Sequence, residues 1–198
     1  METRAGDPGA FARFDLSRVD SPAFVVDAAK LRANCRVLAG IAEASGAKVL
    51  SALKAFSMWP VAPIIGEYLD GVCTSGLWEA RLASEFYDGE IATYCAAYKP
   101  EDLAEICRLS DHVIFNSPQQ IARCAGILEQ ARGQAGHFDV GLRINPLHPT
   151  GEVARYDPCA PHSRPPCHPP GAFMLATNCV KTHRCRVRKS TSTPRNLS

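Results

Sequence analysis

GVCTSGLWEARLASEFYDGEIATYCA, residues 71–96, reads as a strand over Gly71 to Thr74, a helix over Leu77 to Phe86 and a strand over Glu90 to Ala96. The same unit recurs on both sides. Upstream, Lys48 to Leu53 is a strand, followed by a helix from Val61 to Tyr68 that Pro60 and Pro63 start. Before it, Ala23 to Asp27 (AFVVD) is a β-branched apolar run. It leads into a helix from Ala28 to Ser45, where Leu31, Cys35, Leu38, Ile41 and Ala42 recur at helical spacing and Gly46 closes the element. Downstream come a helix from Pro100 to Leu109, a strand from Asp111 to Phe115 (DHVIF), a helix from Pro118 to Arg132 and a strand from Asp139 to Ile144 (DVGLRI).

Strand ends fall near Lys54, Ser75, Ala96, Asn116 and Asn145. The first four are about 20 residues apart, the length of one strand and its crossover helix, so the pattern predicts an α/β protein with a parallel sheet. Two architectures answer to that pattern, an open doubly wound sheet and a closed barrel. No Gly-x-Gly-x-x-Gly follows the first strand and no Gly-x4-Gly-Lys-Ser/Thr occurs anywhere, which removes the best signature of the nucleotide-binding open sheets and favours the barrel. In either, ligands gather at the carboxyl ends of the strands, where the following loops and helix starts converge.

The composition suits one globular domain with an appendage. Of 198 residues 46% are hydrophobic and 21% charged, which excludes collagen-like, coiled-coil and highly charged disordered chains. The formal charge of +2 averages two unlike parts. Seven of the 22 Lys and Arg lie between Arg164 and Ser198, where there is no acid, leaving 15 against all 20 acids in residues 1–163. No run approaches the length of a membrane span, and Met1 to Pro8 lacks a basic segment leading into an apolar one. The nine cysteines are odd in number and scattered, which predicts reduced thiols and a cytoplasmic location.

Lys54 stands at a strand end among apolar neighbours in Ser51-Ala52-Leu53-Lys54-Ala55-Phe56. Desolvation there lowers a lysine's pKa and frees a neutral amine to attack an aldehyde, the chemistry that pyridoxal phosphate requires. The bland alternative is a strand-end lysine reaching into solvent. The surrounding order of segments bears on the choice: SPAFVVD (21–27), ALKAF (52–56) with Met58-Trp59, Thr74-Ser75 with Glu79-Ala80-Arg81-Leu82, FNSP (115–118), GLRINP (141–146) with His148, and YDPCAP (156–161). From about Ser21 to Arg164 this succession resembles the carboxynorspermidine (carboxyspermidine) decarboxylases of the alanine racemase-like, fold type III group of pyridoxal phosphate enzymes.

The resemblance implies a cytoplasmic, homodimeric carboxy-lyase of polyamine biosynthesis, with an eight-stranded (β/α) TIM barrel carrying pyridoxal 5'-phosphate and a second, β-rich domain to which Ala23–Asp27 would belong. Its substrate would be a carboxylated polyamine, and the product norspermidine or spermidine. Lys54 is the implied catalytic residue and cofactor anchor. Arg143 would orient a cofactor or substrate group through its planar fork, or else form a salt bridge at the barrel mouth. Asn116 would line the cofactor site, as would Asn145, although an asparagine before Ser117-Pro118 is also an ordinary helix cap. Asp157 and Cys159 would meet substrate or cofactor, or shape a proline-rich loop. His112, Trp59 and Trp78 read as structural residues.

After Ser163-Arg164 the resemblance stops at Pro165-Pro166-Cys167-His168-Pro169-Pro170, which fits neither helix nor central strand. Three parts are therefore expected: an extension over 1–20, a partial barrel of about five strands over 21–163, and a disordered basic tail over 164–198, the mark of a frameshift. Such a chain would be truncated and inactive alone, because the family draws its ring-stacking histidine and phosphate loop from later segments. Two rival readings stand beside this one. A pyridoxal phosphate-binding relative without catalysis would need a complete short barrel. A metal or nucleic-acid module would rest on the tail, where Cys159, Cys167, His168, Cys179, His183 and Cys185 offer ligands but form no Cys-x2-Cys or His-x3-His pair, and where Phe173 is the one aromatic. Neither a metal site nor nucleic-acid binding is expected.

Overall fold

Asp27 opens the first helix: its Oδ1 accepts the backbone N–H groups of Ala29 at 2.9 Å and Lys30 at 3.1 Å. Helix α1 then runs Ala28–Ser45 and ends at Gly46, whose φ of +67° is the left-handed turn that glycine adopts without strain. The computed structural model describes residues 11–135, 137–145, 148, 153, 157 and 159. Strand β1 (Leu50–Ala52) leads through a 3-10 turn (Trp59–Val61) into the short α2 (Ala62–Gly66). Then follow β2 (Gly71–Thr74), α3 (Leu77–Phe86), β3 (Glu90–Tyr94), α4 (Pro100–Leu109), β4 (His112–Phe115), α5 (Pro118–Ala135) and β5 (Asp139–Leu142). Helix α4 carries its own signals, Pro100 in the first turn with Glu101 and Asp102, and Arg108 in the last.

The five strands form one parallel sheet in the order β1-β2-β3-β4-β5. Sequential order with no reversal means that right-handed crossovers put every connecting helix on the same side, unlike a doubly wound sheet. Alternation along the strands then separates two faces. Val72, Ile91, Val113 and Phe115 turn to the helices and are buried against Ile65, Ala83, Leu103, Ile106 and Leu128 in two adjoining apolar cores. Residues of the other parity, Ala52, Cys73, Ala92, Ile114 and Gly141, turn to the opposite face. Gly141 has no room for a side chain, since a Cβ would lie 2.9 Å from Cγ1 of Ile114 on the neighbouring strand.

The helix-facing side is also tied by hydroxyls. Thr93 Oγ1 lies 2.5 Å from Thr74 Oγ1 and 2.7 Å from Ser110 Oγ, all three buried. Tyr98 shares its hydroxyl between the carbonyls of Thr93 and Ile114, each at 2.9 Å, which locks β3 to β4, and burial pushes its phenol far up. At the amino ends of the strands, His112 lies between Glu90 (3.4 Å) and Asp139 (3.8 Å), and Lys48 pairs with Glu90. His112 thus has the structural role expected of it.

Several expectations need correction. Ala23–Asp27 is not a strand: it pairs with no strand among the described residues, and Phe24 is 94% exposed. An extended apolar run becomes a strand only when a neighbour takes up its hydrogen bonds. The helix expected over 61–68 is the 3-10 turn plus the five-residue α2, with Pro63 in the first turn of α2. Trp59 and Trp78 pack against neighbours, but at the surface. Trp59 is half exposed and stacks on Phe86 at 5.9 Å, while Trp78 is 78% exposed beneath the Arg81 guanidinium at 4.9 Å. No helix among the described residues is long and apolar enough to cross a membrane. The extension's first ten residues and the tail over 164–198 lie outside the described residues.

Candidate active site

Lys54 follows β1 directly, in the turn that Ala55 and Phe56 close by donating their N–H groups to the Ala52 carbonyl. The Leu53 N–H still bonds to the Cys73 carbonyl at 3.0 Å, and the Leu53 side chain is buried in the helix-side core. Lys54, next in line, falls on the opposite face by alternation. Its charge reaches the Cys73 thiol on that face: burial raises the Cys73 pKa and Lys54 lowers it. The expected desolvation is absent, because Lys54 is exposed. It sits in a turn beyond the edge strand, with a neighbouring strand among the described residues on the β2 side only, so water reaches the amine.

Two to four strands away, the carboxyl ends of β3, β4 and β5 bring together Tyr94, Asn116 and Arg143. Tyr94 is the last residue of β3, Asn116 follows β4, and Arg143 follows β5 with its N–H bonded to the Phe115 carbonyl at 2.8 Å. The Tyr94 hydroxyl donates to Asn116 Oδ1 at 2.9 Å. Arg143 Nη1 donates to both, 3.2 Å from Tyr94 Oη and 3.2 Å from Asn116 Oδ1. The guanidinium carbon lies 5.8 Å from the Tyr94 ring centroid, within cation–π range. All three residues are half-buried.

Asn116 is therefore not the cap of α5. Ser117 has that role, its Oγ accepting the Gln120 N–H at 3.2 Å, and this leaves the Asn116 amide turned toward the strand ends. Buried Gln120 holds Asn116 from behind: Gln120 Oε1 accepts the Asn116 N–H at 2.9 Å, and Gln120 Nε2 donates to the Ala96 carbonyl at 3.3 Å. The loops after β3 and β4 are fastened together by that one side chain. Neither Tyr94 nor Gln120 was among the sequence candidates. Tyr94 had a signal, since it ends a strand at the same parity as Ala92.

Asp157 and Cys159 are buried, and the Cys159 N–H donates to Asp157 Oδ1 at 2.7 Å. This local turn agrees with the loop-shaping alternative. Asn145 is buried as well.

The strand register aligns the site. Ala52 is level with Cys73, Cys73 with Ala92, and Tyr94 with Ile114, while Ile114 is level with Gly141. Two residues beyond, Lys54 stands level with Tyr94, and Asn116 with Arg143 one layer higher. The sheet thus offers a primary amine at one side and a ring of phenol, amide and guanidinium at the other.

No family model matches the chain. Among curated proteins it is 42% identical over 147 residues to carboxynorspermidine/carboxyspermidine decarboxylase of Campylobacter jejuni, a match covering 74% of this chain and 37% of the relative. It is 36% identical over 149 residues to carboxyaminopropylagmatine decarboxylase of Synechocystis, covering 75% of this chain and again 37% of the relative. The chain thus spans little more than a third of the length of these relatives. Among solved structures, carboxynorspermidine decarboxylase from Campylobacter jejuni complexed with norspermidine superposes with a TM-score of 0.60 at 40% identity, over 70% of this chain and 36% of that one. D-threonine aldolase from Filomicrobium marinum superposes with a TM-score of 0.56 over 71% of this chain and 40% of that one; at 20% identity it speaks for the fold. The matched stretch is thus similar in sequence to carboxynorspermidine/carboxyspermidine decarboxylase, and its parallel sheet has the alanine racemase-like α/β fold.

Proposed function

We propose that the chain contributes Lys54 and the Tyr94–Asn116–Arg143 ring to a pyridoxal phosphate-dependent decarboxylase that converts carboxynorspermidine or carboxyspermidine to norspermidine or spermidine. The supporting observation is the position of Lys54, which among the described residues is the one lysine in the turn just beyond a strand's carboxyl end on the face opposite the helices, within a stretch 42% identical to a decarboxylase of that name. The donor set fits the cofactor. A primary amine suits its aldehyde, and a guanidinium beside an amide suits its oxygens. When bound, pyridoxal phosphate supplies the aldehyde for the substrate amine and a ring that accepts the electron pair left by departing carbon dioxide. Lys54 would anchor it, and its amine would be available there to carry a proton. Arg143 and Asn116 orient it by hydrogen bonding. The reading extends to a homodimer in the cytoplasm, in keeping with the six free cysteines among the described residues.

Borohydride reduction of the full chain with pyridoxal phosphate, followed by peptide mapping, tests this. A stoichiometric adduct at Lys54, lost in Lys54→Ala, is expected. Label spread evenly over Lys30, Lys54 and Lys99 would overturn it.

A further inference from the structure

We propose that Tyr94 is a positioning residue for this site: its hydroxyl closes a three-way hydrogen-bond ring with Asn116 and Arg143 that fixes the plane in which the guanidinium meets a ligand oxygen. This rests on the proposed function only for the identity of the ligand.

The geometry is specific. Arg143 Nη1 has two hydrogens, and two acceptors lie at the same distance from it, Tyr94 Oη and Asn116 Oδ1, each at 3.2 Å. The two acceptors are themselves joined, since Tyr94 donates its proton to Asn116 Oδ1 at 2.9 Å. That donation also settles the phenol's role: with its proton committed to the amide oxygen, the hydroxyl oxygen presents a lone pair to Arg143. One end of the planar fork is thus pinned by two bonds, and the other donors follow because the guanidinium is rigid. The ring of Tyr94 supports the same group from its face at 5.8 Å. Each member comes from a different strand end, and Gln120 braces the amide from behind. A guanidinium on a flexible stem loses rotamer freedom when it grips a ligand; here the restriction is present beforehand. Tyr94 needs no contact with the ligand for this effect, which reaches the ligand through Arg143.

Two readouts test it on the full chain, one without cofactor. In nitrogen-15 spectra of the arginine side chains, with Arg143→Lys identifying the signal, slow rotation of the Arg143 guanidinium is expected in the parent and averaged, fast rotation in Tyr94→Phe. Unchanged rotation in Tyr94→Phe overturns the proposal, whatever the chain binds. The second readout is pyridoxal phosphate affinity. Tyr94→Phe keeps the ring and removes the hydroxyl, and about a tenfold weaker affinity is expected, the scale of one hydrogen bond to a charged group. In the Arg143→Lys background the same change should have no further effect. Equal weakening in both backgrounds overturns action through Arg143. If the chain takes up no cofactor at Lys54, the proposed function fails, and the rotation measurement alone decides the role of Tyr94.

Discussion

Replacing Thr93 by Val tests how β3 is held in the register that carries Tyr94. Thr93 is fully buried, and its hydroxyl is the middle link between Thr74 and Ser110, at 2.5 and 2.7 Å. Valine has nearly the same shape, so no cavity forms and the change is almost purely the loss of the hydroxyl. Two buried hydroxyls, on Thr74 and Ser110, then lose a partner. At roughly 1–3 kcal/mol for each buried group left unsatisfied, Thr93→Val should cost about 2–6 kcal/mol. Thr93→Ser is the control. It keeps the hydroxyl and removes one methyl group, a change worth about 1 kcal/mol. Replacing all three groups, Thr74→Val, Thr93→Val and Ser110→Ala together, should recover much of the loss, because no unpaired hydroxyl remains. Urea unfolding followed by circular dichroism, at constant m value, gives the order: parent, Thr93→Ser, then Thr93→Val as the least stable. If Thr93→Val is no less stable than Thr93→Ser, the hydroxyl chain does not hold β3.

Other outcomes follow from local chemistry. Burial pushes the Cys107 thiol up to about 12, so iodoacetamide at pH 8 should leave Cys107 unmodified until urea unfolds the chain, as mass mapping of the folded and unfolded protein will show. The Lys48 ammonium, then the His112 imidazole, hold the Glu90 carboxyl below its usual value against the opposing effect of burial. A carboxyl whose pKa is depressed by folding adds stability above its unfolded value and loses it as pH falls through the folded one. Thermal melts should therefore show a smaller loss on acidification in Glu90→Gln than in the parent. Gly89 has φ of +89°, and a Cβ there would sit 2.3 Å from the Asp70 carbonyl oxygen. Gly89→Ala should cost roughly 2–4 kcal/mol in urea unfolding, combining backbone strain with displacement of the β2 approach.

The sheet was legible because its signal is redundant. Each of the strands β1 to β5, with the residues that flank it, has an apolar face against helices, and each crossover helix has a Pro or Gly at its start, so small errors of boundary do not change the topology. Strand β1 shrank from 48–53 to Leu50–Ala52, and α5 ran on to Ala135, without disturbing the order. Expectations failed where the outcome depended on a partner distant in sequence. Ala23–Asp27 has the composition of a strand and lacks the neighbour. Lys54 is where the sequence put it, at a strand end, yet its hydration depends on what stands beyond β1. Asn116 and Ser117 are both good helix caps, and composition cannot choose between them. The choice is made by Tyr94 and Arg143, which offer the Asn116 amide better partners than the α5 start does.

The residues that carry chemistry do not hold themselves in place. Were β4 to slip by one residue against β3, Asn116 would turn toward the helices, and Val113 and Phe115, both fully buried, would turn away from them. Burying each such side chain is worth about 1.5–3 kcal/mol, so the slip would forfeit several kcal/mol from one strand alone. Two or three hydrogen bonds at about 1 kcal/mol each could not enforce the register against an apolar face that preferred another. The hydrogen-bond ring of Tyr94, Asn116 and Arg143 is thus a consequence of burial on the far side of the sheet. It follows that Phe115→Ala, which removes only a side chain packed on the helix side of the sheet, should loosen the Arg143 guanidinium as well as destabilise the fold, whereas Tyr94→Phe should do the first and leave the second nearly unchanged.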